Sequence, residues 1–386
     1  MKYCKRCLYP NTKPDLFFND NGVCSACTAY DARSQINWFD RERQFIKLAE
    51  QAISTARTDG AAYDCIVPVS GGKDSHYQLI TALKYGLRVL AVTATTCSLS
   101  NIGRRNLDNI AKLGVDHIEI TTNRQARRKL NKHALLEIGD TSWPEHVTIF
   151  TVPFIIAEQM DIPLILWGEN PQNEYGGPEK SQQVKVLNGE EWLNEFGGLN
   201  GLRVNDLIEQ NILSYHDANF YTYPPCAHAV NSVYLGSYFP WDGLENAKLA
   251  RSHGFEWYHR GVEGTGYEYE NIDNYQTGLR DYLKYVKFGF GRATDLVCNH
   301  IRRGRLTRQE GIAHVQQWDG QWPATYLGRS LEEILGEVDV TIEEYSKVVN
   351  QFANKKLFRI YDHGVPVPKF IIGEDFKSSP RSGRVE

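Results

Sequence analysis

Six consecutive residues, Ser70-Gly71-Gly72-Lys73-Asp74-Ser75, set two hydroxyls, a cation and a carboxylate around a glycine pair. That set is suited to phosphate: hydroxyl and backbone N–H groups donate to its oxygens, a lysine adds charge, and an aspartate can hold Mg²⁺. The run before it, Ile66-Val67-Pro68-Val69, suits a short buried parallel strand. After it, Lys73, His76, Leu79, Ile80 and Leu83 follow helical spacing. Strand, tight turn and helix N-terminus therefore fall together, and the first N–H groups of the helix face whatever anion sits there. The Walker phosphate loop is excluded, because it needs Gly where this chain has Val67 and Ser or Thr where it has Asp74.

A second chemistry lies at the N-terminus. Cys4-Lys-Arg-Cys7 and Cys24-Ser-Ala-Cys27 are two CxxC knuckles separated by sixteen residues that include Pro10, Pro14 and Asn21-Gly22. The spacing is that of a closed, structural four-cysteine zinc site, although rubredoxin-like iron and free thiols share it. A segment of about thirty residues cannot bury a core, so the metal would fold a small ribbon that docks on something else. The other cysteines, Cys65, Cys97, Cys226 and Cys298, are scattered, which is no disulfide framework. Cys97 is expected as a packed thiol, with sulfur transfer as the sharper option because it follows a strand end near the loop. His228 is expected to be structural.

Two further segments carry charge in unusual settings. Lys287-Phe-Gly-Phe-Gly-Arg292-Ala-Thr-Asp295 disfavours helix and sheet alike, and is expected to exist for backbone approach to a ligand; an interhelical turn is the alternative. Two basic stretches stand out, Arg124, Arg127, Arg128, Lys129, Lys132 and then Arg302, Arg303, Arg305, Arg308; the first is expected mostly as one solvated helix face, with a diphosphate or tRNA contact as the alternative.

The elements that must position these groups alternate along the chain. An amphipathic helix is expected over 40–58, strands over 87–95, 116–121 and 162–168, and helices over 100–113, 124–138 and 146–160. Further helices are expected over 242–252, 274–286, 307–318, 330–335 and 341–352. This rhythm gives an α/β fold with a doubly wound parallel sheet, whose ligands sit at the carboxyl ends of the strands. Thr95 and Gly168 stand at two such ends beside the Ser70–Ser75 loop, and are expected to hold the same cofactor. The aromatic-containing stretch from Pro171 to about Pro225 is expected as a lid or binding loop, and Lys377–Glu386 as a polar tail. The domain division is a zinc ribbon over 1–36, the main domain over 37–300 with its insertion at about 171–225, and a helical region over 301–386.

The chain has 386 residues, with 43 Lys and Arg against 47 Asp and Glu, a net charge of −4. That balance does not favour a nucleic-acid footprint. No apolar run approaches the roughly 20 residues of a membrane helix, and the N-terminus reads as no signal peptide, so a cytoplasmic protein is expected.

The Ser70–Ser75 loop resembles the SGGxDS loop of the PP-loop ATP pyrophosphatases at Ser70, Gly71, Gly72, Asp74 and Ser75, which implies a HUP-like domain and ATP cleaved to AMP. With the cysteine knuckles, the Trp167-Gly168-Glu169-Asn170 strand end, Glu174 with Gly176-Gly177, and the Lys287–Asp295 segment, the whole chain resembles the N-acetyl sugar amidotransferases of bacterial lipopolysaccharide and surface-polysaccharide biosynthesis. That resemblance implies a C–N ligase using ATP, Mg²⁺ and Zn²⁺. It would adenylate the acetamido oxygen of a nucleotide-activated sugar and replace it with ammonia to give an acetamidino sugar. Asp74 would hold magnesium, Lys73 and Arg292 would neutralise charge, Glu169 and Asp295 would orient ammonia or sugar, and Lys287 would belong to the catalytic residues without a separate role. None of the eight cysteines has a glutaminase context, neither N-terminal nor in a Gly-x-Cys-x-Gly elbow. Ammonia would therefore come from a separate subunit like the glutaminase of histidine biosynthesis, through its barrel partner. A tRNA thiolase is the alternative; it shares the loop and often a zinc ribbon, but generally needs a reactive cysteine pair near ATP.

Overall fold

The computed structural model describes residues 1–170, 174–176, 198–225, 230–361 and 364–377. Much of the expected insertion, together with Gly177, Cys226, His228 and residues 378–386, lies outside the described residues. The expected α/β architecture is borne out. Strands β1 (Cys65–Pro68), β2 (Val89–Ala94), β3 (Asp116–Ile120), β4 (Leu164–Trp167) and β5 (Asn231–Tyr234) form one parallel sheet in the order β3-β2-β1-β4-β5.

Period-2 alternation explains why β1 sits in the middle. Cys65 and Val67 join one apolar core with Phe45, Leu79 and Leu107, while Ile66 joins the opposite one with Val152, Phe154 and Ile165. The first core is covered by α2 (Trp38–Asp59), α3 (Lys73–Lys84) and α4 (Asn101–Ala111); the second by α6 (Trp143–Gln159), which follows α5 (Arg124–Ile138). Order reverses between β1 and β4, which opens a crevice at the carboxyl end of β1. Strand β5 was not expected. Its Asn-Ser-Val-Tyr sequence is too short to show alternation, and only pairing with β4 makes it a strand.

After α7 (Val204–Glu209) and α8 (Gly243–Ser252) come α9 (Thr277–Phe288), α10 (Arg292–Arg302), α11 (Arg308–Trp318), α12 (Leu331–Gly336) and α13 (Ile342–Phe352). Thr307, Ser330 and Thr341 start the last three with reciprocal capping boxes to Glu310, Glu333 and Glu344. The N-terminal segment contributes α1 (Ser25–Ala32). It has no core to itself: Leu8, Tyr9 and Leu16 pack in one cluster with Phe290, Val297 and Val315 of the helical part.

The basic stretch on α5 is only partly a solvated face. Arg127 is 2% exposed, and its guanidinium donates to Thr122 at 3.2 Å, Glu145 at 3.1 Å and Thr148 at 3.1 Å, tying α5 to α6. Removing one partner of a buried pair leaves the other charge uncompensated. Arg127→Leu should therefore lower unfolding free energy by about 3 kcal/mol, read as a shift in the urea midpoint. An unchanged midpoint would mean that the pair contributes nothing to the fold.

Candidate active site at the end of the central strand

The loop leaves β1 at Pro68 and turns into α3 with Gly72 as its N-cap. Gly71 has φ +84°, and a Cβ there would lie 2.9 Å from Leu107 and 3.0 Å from the Gly103 carbonyl, so only glycine fits. The Ser75 hydroxyl accepts from the Ser70 N–H at 3.0 Å, and the Ser70 side chain bonds the Asp273 carboxyl. Hydroxyls and first-turn N–H groups thus converge on one point at a helix N-terminus.

A chain of buried charges runs from this point. Lys73 Nζ lies 2.7 Å from Asp74 and 2.9 Å from Glu270, whose other oxygen is 3.3 Å from Arg292. Arg292 stacks on the Tyr175 ring at 5.1 Å, donates to its hydroxyl at 3.3 Å, and lies 3.8 Å from Asp295. Asp295 is also paired with Lys284 and accepts from the Tyr9 hydroxyl at 3.0 Å. Asn246 of α8 fixes the second oxygen of Asp74 at 2.9 Å. Burial alone would lower Lys73, but the Asp74 and Glu270 carboxylates outweigh it and hold the ammonium above its ordinary value. Burial likewise opposes ionisation of Glu270 and Asp295, yet their cationic partners hold both below the carboxylate norm.

Of the residues expected to act here, Lys73, Asp74, Glu169, Arg292 and Asp295 belong to this constellation. Lys287 does not. Its ammonium donates to the Ile138 and Gly139 carbonyls at 2.7 and 2.9 Å, capping the C-terminus of α5, and lies over Phe352. The glycines of that segment make a helix junction rather than a ligand loop. Gly289 ends α9 with φ +77°, and Gly291 admits the Asp319 carboxylate, which accepts from Gly291 N–H at 2.8 Å and Ala293 N–H at 3.0 Å to cap α10. Glu270, Tyr175, Asn246 and Lys284 were missed, having no local motif; the one hint was the dense acidic and aromatic run Tyr267–Asp273.

Beside the loop a cavity of about 320 Å³ opens between β1 and β4, walled by Val69, Phe150, Trp167, Gly168 and Tyr234 with Ser70 and Asp74 at its polar end. Gly168 stands in its wall, while Thr95 lies just past the end of β2, its hydroxyl buried without a partner. Glu169, half-buried at the rim, is raised to about 8, first by burial and then by Asp74. Two carboxylates set against each other next to a phosphate-binding turn fit a hard divalent cation.

At the N-terminus the four sulfurs of Cys4, Cys7, Cys24 and Cys27 are buried within 4.8 Å of one another, with Cys4–Cys27 at 4.0 Å and Cys7–Cys24 at 3.6 Å. Tetrahedral zinc with Zn–S of about 2.3 Å needs sulfurs about 3.8 Å apart, so the donor set fits. The Cys24 N–H donates to Cys4 Sγ at 3.3 Å. Cys298 stands next to the cluster, accepting from the Leu8 N–H at 3.3 Å.

Residues 263–370, which carry Glu270, Lys284, Arg292 and Asp295, match the family model described as LPS biosynthesis protein WbpG-like, C-terminal domain. This part of the chain is similar to a WbpG-like C-terminal domain. The resemblance to surface-polysaccharide enzymes is borne out there, and the matched region supplies Glu270, the ion-pair partner of Lys73 outside the loop. No curated protein matches the chain. Among solved structures, the NMN synthetase from Francisella tularensis matches at 14% identity over 56% of this chain and 87% of that one, with a TM-score of 0.29. At that level of superposition it has no bearing on what this chain binds. Among the described residues no helix is long and apolar enough to cross a membrane.

Two outcomes follow from the geometry. The purified chain should carry one zinc ion by elemental analysis, lost together with ribbon packing on Cys24→Ser; a zinc-free chain with an intact ribbon would contradict the four-sulfur site. An unfolded glutamate gives up its proton near 4.5 whereas folded Glu169 keeps it to about 8, so the folded chain binds more protons between them. Stability should then fall as pH rises through that window, and Glu169→Gln should flatten the fall in the melting-temperature profile.

Proposed function

We propose that the protein is an ATP-dependent, AMP-forming amidotransferase that converts the acetamido group of a nucleotide-activated N-acetyl sugar into an acetamidino group in bacterial O-antigen or surface-polysaccharide biosynthesis. The observation that carries this reading is the contact of the Ser70–Ser75 loop with a WbpG-like domain through Lys73, Glu270 and Arg292.

An amide carbon is a poor electrophile and its oxygen a poor leaving group, so ammonia needs help. The acetamido oxygen attacks the α-phosphorus of ATP, forming an O–P bond as the bond to pyrophosphate breaks. Ammonia then adds to the imidoyl carbon, and the C–O bond breaks with AMP as leaving group. Ser70, Ser75 and the first-turn N–H groups of α3 receive the departing pyrophosphate, and Lys73 and Arg292 offset its charge. Glu270 holds both cations in place before the substrate arrives, so little reorganisation is needed. Magnesium, held by Asp74 and Glu169, would neutralise phosphate oxygens. Asp295 is too enclosed by Lys284, Tyr9 and Arg292 to orient ammonia, and acts by positioning Arg292. Ammonia is supplied by a separate glutaminase with its barrel subunit, in the cytoplasm. The thiolase reading is disfavoured by Cys97, whose thiol is pushed up to about 12, chiefly by burial, and is bonded to Asn131 and Gln276.

The test is incubation with ATP, an ammonium salt and a UDP-linked N-acetyl sugar uronate. AMP should form together with an amidino product identified by mass, and Ser70→Ala or Asp74→Asn should lower kcat/KM about 100-fold or more. ADP as the product, or full activity in both variants, would sink the proposal.

A further inference from the structure

A second cavity, of about 220 Å³, is lined wholly by residues of the WbpG-like region, shares Arg292 with the charged cluster and includes no residue of the Ser70–Ser75 loop. Its walls include the aromatic side chains of Tyr282, Trp318, Trp322 and Tyr326, and its polar lining includes Asp281 and Asp319. Asp319 is committed to capping α10. Asp281 is not: it is buried and, among the described residues, accepts from Asn271 at 3.1 Å through one oxygen, which leaves acceptor capacity on a residue that lines the cavity. Arg292 lines the same cavity, and its Nε is buried with no hydrogen-bond partner. A buried donor left unpaired costs about 1–3 kcal/mol, so its presence points to a ligand acceptor.

Flat aromatic walls with one strong acceptor and one unused donor complement a pyranose, which has an apolar C–H face and a rim of hydroxyls. Three carboxylates in the lining, Glu263, Asp281 and Asp319, against the single cation Arg292 disfavour phosphate, so the nucleotide part of a substrate is expected to lie outside this cavity. Arg292 faces this cavity and, through Glu270, Lys73 as well, so a group projecting from a ring held here toward Arg292 is directed at the phosphate-binding turn. We propose that this cavity is the acceptor subsite: it binds the sugar ring of the nucleotide sugar between Asp281 and the Trp322 face and presents its acetamido arm past Arg292. The proposal rests on the amidotransferase reading for the identity of the ring, but the pocket is testable by binding alone.

Intrinsic tryptophan fluorescence of the full chain, titrated with UDP-N-acetylglucosamine and with UDP, reads the pocket without turnover. The sugar nucleotide should perturb the emission where UDP alone does not, and Trp322→Leu should abolish the difference. In steady-state assays with the UDP-linked N-acetyl sugar uronate, Asp281→Asn, which is isosteric, should raise KM for the sugar about ten-fold or more while KM for ATP stays within two-fold. Equal responses to UDP and UDP-sugar, or a sugar KM unchanged in both variants, would overturn the subsite even if AMP forms normally. Sugar-dependent emission without AMP formation would overturn the reaction and leave the subsite standing.

Discussion

Glu270 is the residue on which the arrangement depends. Its carboxylate is 4% exposed and takes one cation from each half of the molecule: Lys73 from the phosphate-binding turn and Arg292 from the WbpG-like domain. Two buried cations near one another would repel, and each would lose hydration; the shared anion makes their proximity tolerable. The bridge does more than stabilise. It sets the distance between the Ser70–Ser75 turn and the part of the chain with the aromatic cavity.

Around that bridge, charged side chains are oriented in relay. Asp74 is held by Asn246, Arg292 by Tyr175 and Asp295, and Asp295 by Lys284 and Tyr9. Tyr9 belongs to the four-cysteine ribbon, so the ribbon is part of the scaffold of the charged cluster and not a separate recognition module. This accounts for a four-cysteine site in a segment with no core of its own. The ion would fix a surface that the helical part completes through Phe290, Val297 and Val315.

What the sequence made legible was local. The strand, glycine pair and helix of the phosphate turn occupy a dozen residues, and each residue type there is required by backbone geometry. The CxxC pairs and the Ser/Thr–Glu capping boxes are likewise short-range. Glu270 could not be found this way, because a lone glutamate in a loop has no spacing that marks a partner 197 positions away (270 minus 73). Lys287 was misplaced for the converse reason: its neighbours Gly289 and Gly291 resemble a ligand loop, whereas their freedom is used to end one helix and admit the cap of the next. Arg127 looked like one of several surface cations, and only the packing of α6 against α5 buries it.

The docking of the ribbon also ties together distant parts of the chain. Its four thiols are local to one another, all lying between Cys4 and Cys27. Yet the groove that receives Leu8 and Tyr9 is built from residues 290–315, and the Met1 carbonyl accepts from the Phe376 N–H at 2.7 Å. The apolar face of the ribbon is therefore covered only by residues far along the chain. Removing residues 303–377 would take away Val315 and Phe376, two of the contacts that seat the ribbon and, through Tyr9, hold Asp295 in line.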